Sequence, residues 1–279
     1  MNPPPDTLEQ VMGDGGTGWE GRCVLRAEGV VLSPEGGEGS EPLDLEIEAG
    51  ERVAVVLDSE WEARALPRAL LGLEPPVGGR VELLGEDIYD LPERQLLELR
   101  RHIGVVLHNG GLIHNLTVWY NVALPALYHS RFQDTEGVER RVDLLLRRCR
   151  VRELRDLRPA LLDEYTRKRV ALARSWVLSP DLVVLEDPLV DVDTGSGARI
   201  LDMVLGEAPG DWEGEDPRPH QAGVLITSQG FHEAFFRQAD RMVVVHRGST
   251  IFDGPPSGFD RRGKKHPTDI LKERDRPQS

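Results

Sequence analysis

Five short apolar runs constrain the fold of this chain more than any other feature: Arg52–Leu57, Ile103–Leu107, Leu182–Leu185, Val224–Thr227 and Met242–Val245. Each is continuous rather than alternating, which is the pattern of a strand covered on both faces in a parallel sheet. The stretches between them carry helical spacing. Leu66–Leu73 reads as a helix closed by Gly72. Asp90-Leu91-Pro92-Glu93 has the form of an N-cap with an acid three residues on, opening a helix to about Arg101. Val138, Val142, Leu145, Leu146 and Cys149 fall on one face of a helix over 136–150, and Thr166–Leu178 forms another. Buried strands alternating with helices imply an α/β sheet wrapped by helices. Further strands are expected at Cys23–Leu32, Leu43–Ile47 and Arg80–Leu84, with a turn region at Pro34–Glu41. The piece from about 109 to 170 lacks strands and reads as an inserted helical subdomain. Residues 1–21, rich in Pro, Gly and acid, read as a tail, and 207–222 as an exposed polar insertion.

Composition excludes several classes of function. The 279 residues carry a formal charge of −14, which argues against general affinity for nucleic acid or anionic lipid. The dense basic run, Arg261-Arg262-Gly263-Lys264-Lys265-His266, reads as a solvated tail. Cys23 and Cys149 are too few for a disulfide framework and show no metal spacing, so no metal site is expected. The first 21 residues hold no basic segment followed by an apolar one, and no apolar run reaches about 18 residues. No direct membrane insertion is expected.

The run Arg52–Leu57 leads into Asp58-Ser59-Glu60-Trp61-Glu62-Ala63-Arg64-Ala65, where a strand and a helix would flank a phosphate-binding loop. Such a loop reads G-x-x-x-x-G-K-[ST]: glycines let the backbone wrap phosphate, the Lys supplies charge and the hydroxyl meets Mg²⁺. None of these residue types stands where the loop needs it. The spacing Gly16-Thr17-Gly18-Trp19-Glu20-Gly21 is loop-like but has neither Lys nor a preceding strand, and is read as chance.

Longer stretches carry a resemblance. LEIEAGERVAVV at 45–56, ALLGLEPPVGGRVELLGEDI at 69–88, IGVVLHNGGLIHNLTVWYNVALP at 103–125, RKRVALARSWVLSPDLVVLEDPLVDVD at 167–193 and ADRMVVVHRGSTIFDG at 239–254 together resemble the ATPase subunit of ATP-binding cassette (ABC) transporters. Within that family NGGLIHNLTVWYNVALP is most similar to the branch that powers MCE-type lipid transport. The resemblance implies a P-loop NTPase-like core over 22–255, built of a mostly parallel sheet with helices, an N-terminal antiparallel β subdomain and the helical subdomain at about 109–170. Residues 256–279 would form a C-terminal tail. It also implies a membrane permease partner, pairing with a second copy or with another ABC ATPase, and a cytoplasmic place at the inner face of the membrane.

Carried over residue by residue, the family's chemistry is rewritten. Ala63 stands at the loop lysine and Arg64 at the Mg²⁺-binding hydroxyl, while Glu60 and Glu62 replace glycines. Losing one charge-assisted contact costs about 1.5–3 kcal/mol, and losing several would move a micromolar ligand to roughly millimolar or weaker. The signature L-S-G-G-x becomes Leu162-Asp163-Glu164-Tyr165-Thr166. The metal-site strand ends Glu186-Asp187-Pro188, with the two acids exchanged. Asp187 is then a methylene short for polarising water, and a displacement of about 1 Å can cost roughly 10²-fold. His108 replaces the metal-sensing glutamine and Gln229 the switch histidine. Ser59-x-x-Glu62 has the form of a capping box, and Glu60 and Arg64 sit in good order for an ion pair. Pro67 would kink such a helix, and the alternative is a helix starting near Leu66. Asn109, Gly110, Gly111, Leu112 and Asn115 keep family-like text where the membrane subunit docks.

The expectation is a non-catalytic homologue acting as a structural or regulatory subunit, with no cofactor. One alternative is an active ATPase using ATP and Mg through Glu186, Asp187 and Arg64 or Arg68; another is a soluble scaffold.

Overall fold

A computed structural model describes residues 22–32, 40–129, 135–205, 219, 221–246 and 249–259. The expected tail at 1–21 with its glycine spacing, the turn across 33–39, the insertion over 207–218 and the basic run at 261–266 lie outside the described residues.

Two sheets organise the chain. The first is antiparallel, in the order β2-β1-β4-β5, from β1 (Cys23–Val31), β2 (Leu43–Glu48), β4 (Gly78–Leu83) and β5 (Glu86–Asp87). The second runs β10-β9-β3-β8-β7-β6, from β3 (Arg52–Leu57), β6 (Ile103–Val106), β7 (Leu182–Glu186), β8 (Gly223–Gln229), β9 (Arg241–His246) and β10 (Ser249–Gly254). All its neighbours pair in parallel except β9 and β10. The described helices are α1 (Glu60–Leu70), α2 (Glu93–Arg100), α3 (Val118–His129), α4 (Thr135–Arg148), α5 (Glu164–Ser175), α6 (Thr194–Leu205) and α7 (Glu233–Gln238).

The side-chain alternation of β3 explains why its sequence does not alternate in polarity. Val53, Val55 and Leu57 enter the core shared with the antiparallel sheet and α1, and Ala54 and Val56 enter the core beneath α3–α6. Both faces are dry, so both need apolar side chains. The described part of 109–170 contains helices and no strand. Phe259 lies beyond the expected end of the domain at 255, yet it is buried against Phe231 and Phe252. Among the described residues no helix is long and apolar enough to cross a membrane.

Two local expectations are corrected. The first strand-linked helix, α1, does not begin near Leu66; it begins at Glu60, capped by Ser59. Pro67 sits inside it without ending it. A proline there leaves the carbonyl of Ala63 without its helical donor. The Thr227 hydroxyl, from the middle of β8, donates to that carbonyl at 2.7 Å, so the missing bond is made across the sheet–helix interface. The helix then closes as expected: Gly72 has φ +64° and Leu73 N–H donates to Arg68 O at 2.9 Å, the bond of a helix C-terminus with a left-handed residue. The second correction is α2, which starts at Glu93 with Pro92 at its cap and no side-chain capping bond. Asp90 is instead tied into a turn, its N–H donating to Asp87 O.

Thr227→Val should therefore destabilise the protein by about 1–3 kcal/mol, the cost of an orphaned buried carbonyl. Pro67→Ala in the same background should recover much of it, because residue 67 regains an N–H. Thermal unfolding of the two variants checks this, and equal effects of Thr227→Val with and without Pro67→Ala would contradict it.

Candidate nucleotide site

The carboxyl ends of parallel strands are where open α/β sheets bind ligands. Here Asp58 follows β3, His108 follows β6, and Glu186, Gln229 and His246 end β7, β8 and β9. Only Asp58 and Ser59 separate β3 from α1, because the cap is made at once. Ser59 Oγ accepts the Glu62 N–H at 3.3 Å, and Ser59 O accepts the Ala63 N–H at 3.0 Å. Among the described residues no bond returns from the Glu62 carboxylate to Ser59, so the expected capping box is present in one half only. Glu60 and Arg64 form the expected ion pair at 2.6 Å. Trp61 is partly exposed beside them, Ala65 is half-buried, and Ala63 is wholly buried in the core.

Electrostatics at this turn are acidic. Asp58 lies 2.6 Å from Nδ1 of the buried His246. Burial, reinforced by the Asp58 charge, pushes the Glu62 carboxyl above its ordinary range. Burial likewise raises Asp187, the first residue past β7, which has φ 39°.

Glu186 is 1% exposed. Its Oε1 lies 2.7 Å from His108 Nδ1, and its Oε2 lies 3.7 Å from Arg68 Nε. The positions that the resemblance assigns to metal ligation and metal sensing are thus bonded to each other. Gln229 stands exposed at the end of β8, in register with Leu57.

The signature segment is closed in a similar way to α1. Asp163 Oδ1 accepts the Thr166 N–H at 2.7 Å, and hydrogen bonds from Thr166 hold its carboxyl below the usual range. Glu164 pairs with Arg167 at 2.6 Å, and the Arg169 guanidinium lies 4.3 Å from the centre of the Tyr165 ring. Lys168, buried, donates to the carbonyls of Pro188 at 3.2 Å and Val190 at 2.5 Å. Burial lowers its pKa.

Of the segment expected to meet a partner, Asn109 and Asn115 are exposed, while Gly110 and Leu112 are buried and Gly111 half-buried. Arg174 of α5 donates to both glycine carbonyls, at 2.8 Å to Gly110 and 2.6 Å to Gly111. Gly111 has φ +55°, and a Cβ there would meet the Leu107 side chain at 2.9 Å, so the left-handed backbone favours glycine. Next to the segment, α3 exposes Tyr120, Leu124, Leu127 and Tyr128, spaced to share one face.

The sequence did not point to Thr227, His246, Lys168 or Arg174. Each acts through a contact far away in the chain, and among them His246 alone had a local sign, as a polar residue closing an apolar strand.

A family model described as ABC transporter matches residues 41–190. The chain belongs to the ABC transporter family of ATP-binding domains. The lipoprotein-releasing system ATP-binding protein LolD of Chromohalobacter salexigens is 31% identical over 190 residues, covering 66% of this chain and 79% of that protein. Methionine import ATP-binding protein MetN 2 of Paraburkholderia xenovorans is 29% identical over 211 residues, 76% of this chain but 52% of its own length. The chain therefore spans about half of that relative. The dimeric post-hydrolysis structure of the ATP-binding cassette MJ0796, bound to ADP and Pi, superposes with a TM-score of 0.70 at 22% identity, over 84% of this chain and 100% of the other. That likeness shows a shared ABC ATPase fold.

Glu62→Gln tests the electrostatics of the turn. A carboxyl whose folded pKa is raised favours folding below its unfolded pKa, near the ordinary 4.5, and loses that contribution as pH rises through the folded value. The variant should melt higher than the parent at pH 7, and the difference should shrink toward zero as pH falls to about 4. A Tm difference independent of pH would contradict the assignment.

Proposed function

We propose that this chain is a non-catalytic ABC-type ATP-binding domain that serves as a structural or regulatory subunit of a membrane transport complex. The observation that carries the reading is the start of α1: the helix opens after only two residues, its Glu62 N–H is turned to Ser59 Oγ, and the residue at the lysine position is a buried alanine. A phosphate cradle needs free N–H groups from an extended glycine loop and a cation. Asp58, Glu60 and Glu62 instead present carboxylates. These residues do not suit a Mg-triphosphate, nor does Glu186, whose Oε1 faces His108. The signature helix, which would be lent to a second ABC ATPase or a second copy of this chain, is capped by its own Asp163. Both halves of a composite site are thus altered.

Partner binding is a separate property. Asn109, Asn115 and the exposed face of α3 form a polar and apolar surface, and we assign it to a permease subunit that holds the chain at the inner face of the membrane. The text NGGLIHNLTVWYNVALP supports lipid transport as the setting. The competing reading, an ATPase working through Glu186 and Asp187, requires turnover that disappears in Asp187→Ala.

For a ligand present at 100 times its Kd, stabilisation is about 2.7 kcal/mol, several degrees in Tm for a domain of this size. Millimolar Mg-ATP should produce no such shift; a shift of several degrees would overturn the reading. Affinity capture from detergent-solubilised membranes should recover a multispanning membrane protein with the parent chain and lose it with Leu124→Asp. Equal recovery would exclude this face.

A further inference from the structure

We propose that His108 and Arg174 form a latch that fixes residues 109–115 in one position whether or not nucleotide is present. The inference rests on the reading of that segment as the docking face. It makes the docking surface a permanent one.

The segment joins β6 of the parallel sheet to α3, so its position sets where the exposed face of α3 stands relative to the core. At its head, His108 Nδ1 lies 2.7 Å from Glu186 Oε1. Glu186 is not free to swing, because it is 1% exposed and ends a strand paired on both sides. In the middle, Arg174 forks onto the Gly110 and Gly111 carbonyls. Burial lowers the pKa of this guanidinium. Its planar fork meets two carbonyls at fixed spacing, which an ammonium group would not reproduce. Asn109 Oδ1 accepts the Gly111 N–H at 3.0 Å. At the exit, Asn121 of α3 accepts the Ile113 N–H at 2.7 Å and donates to Ile113 O at 3.1 Å. Three elements, β7, α5 and α3, therefore hold His108, Gly110, Gly111 and Ile113 through side chains. Glu is one methylene longer than Asp, and His carries a nitrogen at Nδ1, so the two replacements at 186 and 108 fit one another as a pair.

Amide hydrogen exchange on the full chain tests this. The probes are Gly111 and Ile113, whose N–H groups are held by Asn109 of the segment and by Asn121 of α3, with the amides of β3 and β8 as internal controls. His108→Ala and Arg174→Lys should each speed exchange at the probes by about tenfold or more, leaving the controls unchanged. His108→Asn places an amide nitrogen where Nδ1 stands and should keep the parent's protection. Millimolar Mg-ATP should leave the parent's pattern unaltered. The proposal is overturned if both loosening variants exchange like the parent, if His108→Asn behaves like His108→Ala, or if Mg-ATP changes protection at the probes. Leu124→Asp separates the two readings. If it leaves capture intact while the latch variants loosen the segment, the docking face is wrong and the latch stands. If capture is lost but exchange never changes, the latch alone fails.

Discussion

The bond from the Thr227 hydroxyl to the Ala63 carbonyl joins the central sheet to the helix that opens the candidate site. Strand β8 lies at the middle of the parallel sheet and α1 packs across it, so the hydroxyl sets how α1 sits on the strands. Pro67 gives that bond its place, since residue 67 has no N–H to donate to the same carbonyl. With α1 held this way and capped by Ser59, residue 63 faces the core rather than a ligand. Alanine suits that place; a lysine side chain would have to leave it.

The same solution is used twice. Helix N-termini attract anions because their first N–H groups are unpaired and their dipole is positive there. In this chain α1 and α5 both meet that need internally, through Ser59 and Asp163, with acids in each first turn. Asp163 illustrates the trade: its carboxyl is held below the ordinary range by the very hydrogen bonds that occupy the helix end. Burial, with the Asp58 charge beside it, raises Glu62 instead, at a turn flanked by the apolar cores on both sides of β3. Around His108 and Glu186 the pattern is again one protein group answering another. The scaffold of the family is kept, and the proposed reading is that protein groups stand in for the contacts a nucleotide would make.

How much of this could be read from the sequence depends on the range of the interaction. The buried strands were legible because a strand covered on both faces must be apolar throughout, and Arg52–Leu57 shows it. The Glu60–Arg64 pair and the Ser59 cap were legible because their partners are within four residues. What compensates Pro67 was not legible, because it comes from Thr227, 164 residues away. Asp90 was misread because a cap pattern does not reveal that a neighbouring turn has already claimed the residue. Helix α3 gave no periodic signal, since it carries apolar residues on its exposed face as well as its buried one. The link between His108 and Glu186 spans 78 residues and became visible only once β6 and β7 were seen side by side.

The most direct measurement is isothermal titration of Mg-ATP into the full chain, alongside a variant carrying Glu60→Gly, Glu62→Gly, Ala63→Lys and Arg64→Ser. The account predicts no saturable binding by the parent, with Kd weaker than about 1 mM, or roughly 4 kcal/mol of binding free energy at most. Saturable micromolar binding by the unaltered chain would contradict it.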